Sequence, residues 1–256
     1  MNLSDLIKGM LNLQKRIDPK ILPSQGLFYK DDFEIFIKKA DIEDIIEYEH
    51  NYIKDDIGCV INKLKKLVLK NTSFSSNYNF YDLKSIDIIF IFLEIVRFTN
   101  NKSISLKYFN DEIGQEEDIE FNSDHFNYFT IDEETMKYYD EENKQFVVNG
   151  YNFSLPSIGV ENCMTNYLLD KSYEADALKY NSYNYDFTFF LSDKRQIKFE
   201  EIDNLITIFN FDLEESETKK IKKIVNHFQP IQKYSLRRGN RVIDISSKID
   251  LEKIWK

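Results

Sequence analysis

The residues that could do chemistry in this chain are few, and their spacing does not combine them. The three histidines, His50, His125 and His227, lie far apart, and none sits in an HExxH or comparable metal-binding arrangement. Each is expected to cap an element or sit at the surface. Cys59 and Cys163 are too distant in sequence to read as a metal box or a disulfide framework, so reduced thiols in a cytosolic compartment are expected. Ser24 and Ser157 each follow a proline, where a hydroxyl normally satisfies a nearby backbone group, and no serine occupies a GxSxG elbow. There is no glycine-rich phosphate loop. Residues 111–120 hold many carboxylates but lack the alternating ligands and fixed glycine of a calcium loop, and read as a solvated acidic loop. No catalytic residue, metal site or cofactor is expected on these grounds.

The informative residues are those that shape the backbone. The 256 residues include only 4 prolines and 7 glycines, and one of each falls in Leu22-Pro23-Ser24-Gln25-Gly26-Leu27-Phe28-Tyr29. A second stretch, Leu155-Pro156-Ser157-Ile158-Gly159, repeats the outline. Proline presets an extended approach and glycine supplies positive φ, so Pro23, Gly26, Pro156 and Gly159 are expected to build rigid turns at the edges of β elements. LPSxG is also the outline of a sortase signal, but that signal is C-terminal with an apolar tail and a basic end, and neither copy has them.

The surrounding pattern predicts an α+β fold: a mixed helix and antiparallel-strand core over residues 21–170, preceded by an amphipathic arm over 1–20 and followed by a mainly helical region over 171–256. Leu3, Leu6, Ile7, Met10 and Leu11 form one stripe on a helix expected over Met1 to Ile17, either packed on its own domain or docked on a partner. Phe33 to Ile37 alternates as a strand, Asp41 to Tyr52 turns helical, and a helix over about Cys59 to Leu69 ends near Asn71. Ile86 to Phe98 is the most apolar run. It is too short for a bilayer and contains Asp87, Glu94 and Arg97, so it reads as a central helix with Ile86, Ile89, Phe90, Leu93 and Val96 buried. Strands follow, and Asn149-Gly150 between Gln145–Val148 and Tyr151–Leu155 predicts a hairpin. Ile202 to Phe209 and Ile221 to Phe228 predict a helical hairpin, then a short strand at Val242–Ile245 and a last turn at Leu251–Trp255.

The net charge of −10 argues against a free-standing nucleic-acid binder. The charge is uneven. Asp111 to Glu142 is acidic, whereas Lys219, Lys220, Lys222, Lys223, Lys233, Arg237, Arg238 and Arg241 form a basic stretch with no acid among them. Either these are solvated faces, or each meets an oppositely charged neighbour in an assembly. The charges spread over Met1 to Ile17 leave no signal peptide to expect.

From Leu22 to Leu169 the order of motifs resembles the baseplate hub subunit and assembly family of T-even-type contractile-tailed phages. The resemblance runs through Leu22–Tyr29, the strand at Phe33–Ile37, the acidic helix Asp41-Ile42-Glu43-Asp44-Ile45-Ile46, and the run that opens Asp82-Leu83 and closes Leu93-Glu94-Ile95-Val96-Arg97. It ends at Tyr151-Asn152-Phe153-Ser154-Leu155-Pro156-Ser157-Ile158-Gly159. Many members carry paired cysteines after the Asp–Leu…Arg helix. Here Asn100 to Ile131 has none, so strand pairing must hold that region. The resemblance implies a non-enzymatic tail protein, in the virion baseplate or in the bacterial host cytoplasm during assembly. Its partners would be other tail proteins, hub or tape measure, with no membrane and no nucleic acid. A chaperone for tape measure or hub that leaves the mature virion, and an unrelated cytosolic adaptor, are the alternatives. The partner-binding candidates are the arm residues Leu3, Leu6, Ile7, Met10 and Leu11 and the basic residues Lys219 to Arg241.

Overall fold

Ile88–Asn100 (α3) is apolar on nearly every side, so water must be kept from all of it. In the computed structural model, which describes residues 14–49, 57–110, 112–121, 131–171, 199–208, 213–228, 235–238, 241–244 and 254–255, all nine residues from Ile88 to Val96 are buried. The helix ends where Asn101 turns left-handed at φ 52°. One charge lies inside this wrapping. The Glu94 carboxylate, 3 % exposed, accepts from Lys15 Nζ at 2.6 Å and from Arg97 at 3.0 Å.

Lys15 belongs to the first strand of an antiparallel sheet, β1 (Gln14–Ile17), β2 (Ile35–Lys38) and β3 (Thr72–Phe74), with β2 in the middle. Gln14 faces Lys38 and Ile17 faces Ile35. The expected N-terminal helix therefore does not run to Ile17. Its apolar stripe stops at Leu11, and Gln14–Ile17 instead pairs with β2 and buries Ile17 in the main core. Residues 1–13, with Leu3, Leu6, Ile7, Met10 and Leu11, lie outside the described residues.

Helices α1 (Ile42–Glu49) and α2 (Ile57–Asn71) connect β2 to β3. Asp41 caps α1, its carboxylate accepting from the Asp44 amide at 2.8 Å. Asn71 closes α2 and donates from Nδ2 to Asp44 Oδ2 at 3.0 Å, so the two helices share one polar joint. Val60, Leu64, Leu67 and Val68 turn inward beside α3. After α3, strands β4 (Ser105–Asn110) and β5 (Gln115–Glu120) form a hairpin whose Leu106, Tyr108 and Ile119 face the same core. Residues 105–110 and 115–120 are held to each other by six paired positions, and no three metal-ligating side chains gather among the described residues.

A second cluster lies beyond. Strands β6 (Tyr139–Asp140), β7 (Gln145–Val148) and β8 (Tyr151–Phe153) form an antiparallel sheet, preceded by the short helix α4 (Glu133–Met136). Asn149 and Gly150, at φ 49° and 84°, make the predicted two-residue turn. Helix α7 (Glu215–Phe228) packs Ile221, Ile224 and Val225 on Phe146, Val148 and Phe153 of this sheet. Between these elements run α5 (Ile158–Lys171) and α6 (Phe199–Thr207), joined by the Tyr167 hydroxyl donating to Asp203.

Strand β9 (Ser235–Arg238) pairs with β10 (Arg241–Asp244) as a hairpin, so the expected lone strand has a partner. Ile254 and Trp255 return to the main core, where Trp255 meets Tyr48 and Phe92 edge to face. No helix among the described residues is long and apolar enough to cross a membrane.

This burial pattern sets a contrast between two aliphatic side chains. Leu93→Ala, in a fully buried site, should cost about 3 kcal/mol of unfolding free energy. Ile42→Ala, 73 % exposed, should change it by less than about 0.5 kcal/mol. Urea midpoints of both variants check the pair.

Candidate functional site

Both proline-serine turns meet at one place, the residues Leu83 to Asp87 that lead into α3. The Asp87 carboxylate is fully buried there. Its Oδ1 accepts from the Ser24 amide at 2.8 Å and its Oδ2 from the Tyr29 hydroxyl at 2.7 Å. The Tyr29 oxygen in turn accepts from the Lys84 amide at 2.8 Å. Two positions in Leu22–Tyr29 are thus fastened to one residue some sixty positions away.

The second turn is fastened to the same segment through its backbone. The Ser85 amide donates to the Pro156 carbonyl at 3.0 Å, and the Ile158 amide donates to the Leu83 carbonyl at 2.8 Å. Lys84 and Ser157 form an isolated antiparallel bridge. Lys84 is only 5 % exposed, and its ammonium donates to Ser154 Oγ at 2.8 Å beside the Phe28 ring. Residues 82–87, which the sequence presents as the start of a helix, are the pin on which the turns hang.

Burial sets the electrostatics of this joint. It pushes the Asp87 carboxyl up to about 6, against the pull of the Tyr29 and Ser24 hydrogen bonds and the Lys84 charge. Burial first, then the Asp87 charge, pushes the Tyr29 phenol well above its ordinary value. Tyr29 therefore stays protonated, as a donor to Asp87. Beside the joint lies a cleft of about 420 Å³, walled by residues of all three segments, among them Tyr29, Asp82, Lys84 and Ser154. Lys30 and Lys144 join Lys84 on its wall, and Asp32 joins Asp82, so neither sign dominates.

The motif residues fall as follows. Pro23 is buried next to Ser24, and Gly26 sits at φ 72° after Gln25 at φ 56°. A Cβ on Gly26 would lie 3.3 Å from both Lys20 N and Pro19 C. Pro156 precedes Ser157, whose hydroxyl accepts from the Val160 amide at 3.2 Å and so starts α5. Gly159 therefore lies inside the first turn of α5, not in a loop turn as expected, because the Ser157 cap commits the chain to helix one residue earlier. The Ser24 hydroxyl does not behave like that of Ser157. It is the Ser24 amide that is bonded, and the buried Oγ makes no backbone hydrogen bond.

The basic stretch is divided between α7 and the β9–β10 hairpin. Lys219, Lys220, Lys222 and Lys223 are exposed along α7. Lys219 pairs with Glu215 at 2.7 Å, and Lys223 pairs with Asp132 and Glu134, which fastens α7 to α4. His227 Nε2 adds to that clamp, 3.2 Å from Asp132 Oδ2 and 3.1 Å from Thr135 Oγ1. Arg237 and Arg238 lie on β9 and Arg241 on β10, with Arg238 opposite Arg241. Lys233 and the arm residues lie outside the described residues, as do His50 and His125. Cys59 and Cys163 form no disulfide and are half-buried.

Asp87 and Lys84 were not singled out as site residues by the sequence. The available signal was a carboxylate at the mouth of the most apolar run, which needs a partner if the run is buried. Comparison with protein-family models, with curated proteins and with solved structures finds no match to this chain.

Two outcomes are expected. Gly26→Val forces a β-branched residue to positive φ against the Pro19–Lys20 backbone and should cost at least about 2 kcal/mol. The thermal midpoint and soluble yield of the variant test this. The Asp87 carboxyl is raised in the fold above its unfolded value, so the fold binds the extra proton. Its stability contribution is greatest below about pH 4 and falls as pH rises through about 6. Asp87→Asn removes that dependence while keeping the shape. The stability difference, wild type minus Asp87→Asn, should therefore grow more positive by about 2–3 kcal/mol between pH 7 and pH 4. A difference that is flat with pH, or of opposite slope, contradicts the reading.

Proposed function

We propose that the protein is a non-enzymatic component of a contractile phage tail, acting in the baseplate hub or in its assembly through contacts with other tail proteins. The support is a single observation. Leu22–Tyr29, the Asp82–Arg97 run and Tyr151–Gly159, three of the segments that carry the resemblance, are hydrogen-bonded to one another at a single joint. Residues matched in order along a chain then serve one purpose in space, which is to set the angle between the main core and the β6–β8 sheet. Among the motif side chains, Tyr29 and Asp87 bond to each other, Lys84 bonds to Ser154, and Ser157 caps the start of α5.

A protein of this kind works through its surfaces. The arm residues Leu3, Leu6, Ile7, Met10 and Leu11 and the lysines of α7 are the surfaces we assign to partners. The deciding experiment is mass spectrometry of purified tailed particles from the source of this sequence, together with pull-down from cells assembling tails. Recovery in the particle makes it a hub subunit. Recovery only with tape measure or hub during assembly makes it a chaperone. Absence from both, with no tail genes beside its own, refutes the proposal.

The strand β1 alters how the arm must be tested. Removing residues 1–13 should leave the thermal midpoint within a few degrees of the full chain, because the β1–β2 pairing and Ile17 are kept. Removing residues 1–17 should unfold or severely destabilise it, since Ile17 and the Lys15–Glu94 pair are lost together. Circular dichroism of the two truncations separates arm from core.

A further inference from the structure

Two faces of opposite sign stand on different parts of the fold. The outer face of the β4–β5 hairpin carries Glu116, Asp118 and Glu120, all exposed, with one cation, Lys107, among them. Phe109 lies in that acidic field at 47 % exposure, opposite Glu116, and Ile113 at the tip is 52 % exposed. A bare aromatic ring and an isoleucine within a charged rim have the composition of an interface anchor. The opposite face of this hairpin is already used, since Leu106, Tyr108 and Ile119 are in the main core.

The second face is α7. Its apolar side, Ile221, Ile224 and Val225, covers the second cluster, and Lys219, Lys220 and Lys222 are exposed. Because β4–β5 is built on the first cluster and α7 on the second, the two faces belong to separate parts of one copy. The occupant that the hairpin selects must be basic. With the chain at −10 overall, a second copy is repelled in most orientations and attracted where its α7 meets this hairpin.

We propose that copies of this chain associate head to tail, the acidic β4–β5 hairpin of one seated on the basic side of α7 of the next, with Phe109 and Ile113 as the apolar anchor. The contact is heterologous, so it closes into a ring or runs on as an open chain of subunits. It does not rest on the tail reading, and can fail or hold independently of it.

The test uses the full chain, measured by light scattering and sedimentation over a range of protein concentrations. Wild type should associate with a mass that rises with concentration, and more weakly at about 1 M salt, where screening shortens to about 3 Å. Reversing the hairpin with Glu116→Lys and Glu120→Lys, or the helix with Lys220→Glu and Lys222→Glu, should each weaken self-association at least about tenfold. Mixing the two reversed proteins should restore it, because the mixture again offers an acidic hairpin to a basic helix. Phe109→Ser should weaken association without changing its salt dependence, and circular dichroism must show all variants folded. A wild type that stays monomeric at every concentration in low salt overturns the proposal. So do reversed variants that associate like wild type, or a mixture that fails to recover.

Discussion

A carboxylate with no access to water dominates this structure. An ionised group removed from solvent is costly unless donors are aimed at it, and Asp87 has the Ser24 amide and the Tyr29 hydroxyl at hydrogen-bonding distance. Apolar packing alone would tolerate small slides of the Leu22–Tyr29 loop over α3. Directional bonds to a buried anion do not, because a shift of an ångström leaves a charge or an amide unsatisfied. Tyr29 passes the constraint on by accepting the Lys84 amide, and the Lys84 side chain passes it to Ser154 at the end of β8. One anion therefore fixes three stretches of chain that the sequence keeps far apart.

The loop held this way also joins the two apolar clusters. Leu22 and Tyr29 lie in the main core, while Phe28 packs in the second cluster with its ring centroid 6.2 Å from that of Phe146. Adjacent residues thus face opposite clusters within a run of turns, in which the Leu27 amide donates to the Ser24 carbonyl and the Tyr29 amide to the Gly26 carbonyl. The tight turn at Gln25–Gly26 makes the reversal between them, and the lack of room for a Cβ at Gly26 explains the glycine.

What the sequence revealed is what short-range physics decides. The burial of Ile88–Val96 follows from an apolar run with no polar side to expose, and the β7–β8 turn follows from Asn149-Gly150 accepting positive φ. What it hid is set by residues far along the chain. The two LPSxG stretches look equivalent in sequence, yet Gly26 is in a turn and Gly159 in a helix. Ser157 is free to cap α5 with its hydroxyl, whereas Ser24 is claimed through its amide by a carboxylate 63 positions away. Likewise Gln14–Ile17 carries no strong strand signal, and is a strand because Ile35–Lys38 offers it an edge and Glu94 offers Lys15 a partner. The joint was half legible. Its turns were visible as rare proline and glycine, and its centre was a lone aspartate whose partners no local pattern could reveal.

The same long-range bonding bears on how a surface event would travel through the molecule. Helix α7 is fastened to the β6–β8 sheet by Ile221, Ile224 and Val225, to the tip of that sheet by Asn149 donating to Glu217, and to α4 by Lys223 and His227. That sheet is packed on Phe28, and Phe28 is adjacent to the phenol that donates to Asp87. A partner seated on α7 is thus linked to the start of the central helix through contiguous packing and directional bonds. The contacts that lead from α7 to the start of α3 run through the β6–β8 sheet, Phe28 and the Tyr29–Asp87 bond.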